Sequence, residues 1–129
     1  MSAIPSDQLI ARIEAHIECW KQFNNFAIAA RAKKFRPEDE SHFIELKKII
    51  ALDAEMIFNA IGDQLSAKGE AAALIGRAPS LRHLSETGRG DWHDIEDAWH
   101  KIYIGWHSVL GQIKIKQRGG NTPFFSGKK

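Results

Sequence analysis

Residues 92–107 read WHDIEDAWHKIYIGWH, with Trp-His at 92–93, 99–100 and 106–107, each copy seven residues after the last. Seven residues wind an α-helix through almost two whole turns, so such positions stack on one face with a drift of ~20°. Ile113 continues the tryptophan row, and Ile95, Ile102 and Val109 form a second row three residues on. Together they make an unbroken apolar seam, which predicts a long helix with its tryptophans in the core. The histidines fall one residue later, about 100° around the helix, at the edge of the seam or outside it. Neighbouring copies are also ~10.5 Å apart along the axis, too far for one metal ion to join. The repeat is a packing period, not a ligand set.

Outward from that stretch, Gly88 and Gly90 precede Asp91, a good N-cap, and Gly119-Gly120 follow the cationic Lys114, Lys116 and Arg118. The last helix is therefore expected over about 91–118. A first helix over about 6–35 is predicted by Leu9, Ile13, Trp20, Phe23, Ala27 and Ala30 at spacings of three and four. Ser6 suits its N-cap, and Arg31, Lys33, Lys34 and Arg36 suit the negative end of its dipole. Pro37, with Glu38, Asp39 and Glu40 beside it, opens a second helix over about 37–67. That helix turns Phe43, Leu46, Ile49, Ile50, Met56, Ile57, Ala60 and Ile61 inward. One or two short helices are expected in the 69–90 connection, from EAAALIG and PSLRHLSE.

The predicted fold is all-α: a bundle of three long helices in a single domain, residues 1–118, with 119–129 as a flexible tail. A chain of 129 residues can bury a real core without staples. Its charged share is 26% and its net charge only +2, so the basic clusters are accounted for by helix dipoles and nucleic-acid binding is disfavoured. Cys19 is the only cysteine, which excludes an intrachain disulfide. The N-terminus has no basic segment leading into an apolar one, and no apolar run approaches a membrane span, so a cytoplasmic protein is expected. No phosphate loop, nucleophile elbow, paired CxxC or HExxH is present.

Polar residues inside the apolar rows are the more informative candidates. His16 interrupts the row of the first helix, and Asp53 stands among Ile49, Ile50 and Ile57 in the second. A carboxylate on a core face is costly unless paired. Antiparallel pairing through a turn at 35–37 sets His16 level with about Met56 and brings Asp53 within a turn of it. A His16–Asp53 pair is expected, with the carboxylate favouring charged histidine and burial partly opposing it. It reads as a register-fixing core pair, or alternatively as an acid–base or metal site joined by Glu55 or His100.

A second set, His93, Glu96, Asp97 and His100, shares one face of the last helix with ligand types suited to zinc or iron. Asp97-x-x-His100 has the carboxylate–histidine spacing of di-iron bundles, repeated at Asp39-x-x-His42. Exposed ion pairing is the preferred reading of both, and no cofactor is expected. The last helix also carries Ile104 and Ile115 away from its seam, with Ala98, Tyr103, Gly105 and His107 nearby. Stray apolar side chains of this kind mark interfaces. The function expected is that of a non-enzymatic bundle working through self-association, as a homodimer, or through another protein. A metal-binding or metalloenzyme bundle is the alternative.

Overall fold

The computed structural model describes residues 6–61 and 68–120. Five helices run through them: α1 (Ser6–Arg31), α2 (Pro37–Ile61), α3 (Lys68–Arg77), α4 (Leu81–Ser85) and α5 (Arg89–Gly120). No strand occurs among the described residues. The expected end of the second helix at 62–67 and the tail from residue 121 lie outside them.

α1 stops four residues short of the expected Phe35. Lys33 takes a left-handed backbone conformation, φ 59°. Its N–H bonds the carbonyl of Ala30 at 2.9 Å, and that of Lys34 reaches back to Ala29 at 2.8 Å. This is a Schellman ending, which satisfies the last carbonyls of the helix. It turns Phe35 back to pack, half-buried, on the core. The early stop shifts the antiparallel register by about one turn, so that Arg12, not His16, lies beside Met56. Phe23 and Phe26 both meet Phe43, at centroid distances of 5.4 and 5.7 Å. At the start of α2, Asp39 accepts a hydrogen bond from the Arg36 N–H at 2.9 Å, the reciprocal half of a capping box.

α5 begins at Arg89 rather than at 91, because the Trp92 N–H already bonds the Gly88 carbonyl at 2.9 Å. Asp91 is thus in the first turn and not the cap. At its other end the helix runs through Gly119 and Gly120. The pairs Arg31–Glu96 and Lys114–Glu14, both 3.4 Å, and the Gln117–Asp7 bond set α5 antiparallel to α1 and therefore parallel to α2. The 68–88 connection accordingly returns to the end of the molecule where α2 began. Ser80 caps α4 by accepting from the His83 N–H, 3.0 Å, and Glu40 on α2 accepts from the Leu81 and Arg82 N–H groups, 2.8 and 2.9 Å. Lys47 completes the clamp by donating to the carbonyls of Ala78 and Pro79, 2.8 and 2.9 Å.

α1 is the central helix, packed on α2, α4 and α5, and α3 lies on α5. The expected tryptophan seam is buried at Trp92, Ile95, Ile102, Trp106 and Val109, with Trp99 half-buried and donating Nε1–H to the Trp20 carbonyl at 2.8 Å. On α2 the buried row is Phe43, Leu46, Ile50 and Ile57. Ile49 and Met56, expected inward, are 44% and 46% exposed, and Ala60 is exposed too. Each of the first two precedes a buried isoleucine by one position, which swings it about 100° off the core line. Among the described residues no helix is long and apolar enough to cross a membrane.

Candidate functional site

His16 is the one buried polar residue of the described core, wholly enclosed on α1. Its Nε2 accepts a hydrogen bond from Trp20 Nε1–H, one turn on, at 3.1 Å. The neutral ring therefore carries its proton on Nδ1. Nδ1 lies 3.8 Å from Asp53 Oδ2, and Arg12 Nη1 lies 3.5 Å from Asp53 Oδ1. The first separation exceeds a hydrogen bond, and Nδ1 has no acceptor among the described residues. The Trp106 ring stands edge-on to His16 with centroids 4.4 Å apart.

Burial pushes the His16 pKa down to about 4, against the pull of Asp53. The expectation of a histidine charged by its carboxylate is thereby reversed. Asp53 is at the edge of the core, 20% exposed, and it shares its charge with the Arg12 guanidinium. It neither approaches His16 closely enough nor sits dry enough to offset desolvation of the imidazolium. With the lone pair of Nε2 engaged by Trp20, His16 also lacks a free base or a metal-ligating nitrogen. His16 and Asp53 are brought together, but as a packed and neutral ring beside a half-solvated ion pair. Arg12 was missed because its partner lies 41 residues away, and only the shifted register brings the two helices' edges together.

Beside His16 is a pocket of about 170 Å³ between α1, α2, α3 and α5. Trp20, Phe58 and Trp106 line it with His16, and Phe58 stacks on Trp106 at 5.5 Å. Ala51 and Ala54 of α2 face Ala71 and Ala72 of α3 across it, with the exposed Glu55 at the rim. Cys19, half-buried on α1, has its thiol pKa raised by burial and then by the charges of Asp53 and Glu18. It is a poor nucleophile.

The candidate metal set does not converge. His93 pairs with Asp97 at 3.8 Å, Glu96 turns to Arg31, and His100 is exposed beside Trp99. Asp39 caps its own helix, while His42 is exposed. Among the described residues no group of three or more His, Cys, Asp or Glu comes together to hold a metal ion. The candidate interface on α5 is likewise divided. Ala98 packs on the core and lines a cleft with Leu74 and Arg77 of α3, and Gly105, seven residues on, shares that side of α5. Tyr103 stacks on Trp99 at 4.8 Å, with the His107 ring edge-on to it at 4.6 Å. Of the five, Ile104, 53% exposed, and His107 are the exposed ones. Comparison with protein-family models, with curated proteins and with solved structures finds no match to this chain.

Proposed function

We propose that the protein is a non-enzymatic helical bundle that works by self-association, two copies meeting through the outer face of α2. One observation carries this reading: Leu52 is 68% exposed, with the half-exposed Ile49 and Met56 beside it on one helical stripe. Large apolar groups gathered on a single outer face are what an interface buries. The partner is a second copy because the stripe complements itself. Where two α2 helices cross antiparallel on a two-fold through Leu52, positions before Leu52 on one lie level with positions after it on the other. Ile49 and Met56 share one flank of Leu52 on the helical wheel, so each meets the other's counterpart in the second copy. Lys48 and Glu55 share the opposite flank and meet in the same way, as opposite charges. The α5 face offers Ile104 and Ile115, each 53% exposed, but eleven residues and about three turns apart.

Sedimentation equilibrium tests the reading. At tens of micromolar the native chain is a dimer, Leu52→Glu is a monomer and Ile104→Glu remains a dimer. Lys48→Glu weakens association by setting like charges together, and the double variant Lys48→Glu/Glu55→Lys restores it. A native monomer at this concentration overturns the proposal. Dimerisation lost with Ile104→Glu but kept with Leu52→Glu moves the interface to α5.

A further inference from the structure

We infer that the pocket beside His16 is a binding site for a small neutral aromatic molecule. Interiors are close-packed, with few voids larger than a water molecule, so a partly open pocket of about 170 Å³ that runs from exposed Ala51, Glu55 and Ala72 down to the buried His16, Trp20 and Trp106 is a feature to explain. The residues around it explain how it stays open. Ala51 and Ala54 on α2 and Ala71 and Ala72 on α3 are four alanines on facing walls, where larger side chains would close the space. Lys47 and Glu40 tether the α3–α4 link to α2, which limits how far the α3 wall can settle inward.

The shape and chemistry of the lining set the ligand class. A dry cavity of about 150 Å³ in another protein holds benzene, which puts this pocket in the range of one substituted ring. Its other walls are the Phe58–Trp106 stack and the rings of His16 and Trp20, surfaces on which a flat guest packs offset or edge-on. The guest is neutral because the buried lining carries no charge. The imidazole is uncharged, its Nε2 is taken by Trp20, and Glu55 stands at the exposed rim. A charged molecule entering would shed its water without a counter-ion in return. The pocket lies within one chain, and Ala51, Ala54 and Phe58 of its α2 wall are turned about 100° or more from Leu52, while Glu55 at its rim also borders the proposed interface.

Toluene, benzoate and benzylammonium are the probes, followed by two-dimensional NMR of the full chain. Toluene produces saturable shifts at the methyl groups of Ala54 and Ala72 and at the Trp106 indole. It does so equally in Leu52→Glu, and benzoate and benzylammonium bind at least tenfold more weakly. Ala72→Leu fills the space and abolishes those shifts while the melting temperature holds or rises. Where that variant does not fold, the native chain still decides: saturating toluene raises its melting temperature, and xenon shifts the same methyl resonances. Absence of saturable binding to the native chain overturns the inference. So does undiminished toluene binding in a folded Ala72→Leu. Benzylammonium binding as tightly as toluene overturns the neutral class, with Glu55 then selecting a cation.

Discussion

At His16, burial and a nearby carboxylate act in opposite senses, and burial wins. The imidazole titrates near 4 in the folded chain, against 6.5 for an unhindered histidine. As pH falls, the unfolded chain therefore takes up its proton first. The stability at stake is complete above about pH 6.5 and is lost progressively as pH drops towards 4, by ~3 kcal/mol for a shift of this size. His16→Gln keeps an acceptor for Trp20 Nε1–H and removes the titration. Urea denaturation between pH 7 and pH 4 is expected to show the native chain losing ~3 kcal/mol more than this variant. An imidazole resonance of His16 that titrates above pH 6.5 would reverse the balance and give Asp53 the upper hand. Nothing in the order of residues settles that balance, because it turns on a separation of 3.8 Å and on Arg12 taking the other carboxylate oxygen.

Among the helices, ends were less legible than interiors. The tryptophan seam of α5 was readable because a seven-residue period survives any small error in the boundaries. The end of α1 was not, because Lys33 is an unusual occupant of a left-handed position that glycine normally fills. A side chain there costs about 1 kcal/mol. Lys33→Gly is accordingly expected to raise stability by up to ~1 kcal/mol, seen as a higher urea midpoint at unchanged slope. A lower midpoint would mean that the Lys33 Nζ bond to the Ser85 carbonyl, 3.2 Å, outweighs the backbone relief. That early stop, invisible in composition, displaced the α1–α2 register by about one turn and set Arg12 beside Met56.

Across the molecule, the short α3–α4 segment is held to α2 by two side chains, Glu40 and Lys47. Lys47→Met keeps an unbranched apolar stem but removes the ammonium that donates to the Ala78 and Pro79 carbonyls and lies 4.9 Å from the Phe43 ring centre. A loss of ~2 kcal/mol is expected, with hydrogen exchange faster in α3 and α4 and little changed in α1, α2 and α5. Uniform loss of protection would make the tether part of the global fold instead. The sequence by itself determined the helical class, the tryptophan core and the dipole-matched charges. Each of these follows from short-range periodicity or from a local field, which neighbours along the chain suffice to set. Only the tertiary structure decided the direction of α5, the neutral state of His16, the exposed stripe on α2 and the alanine-walled pocket. Those arise from groups dozens of residues apart, whose meeting no period or field along the chain can set.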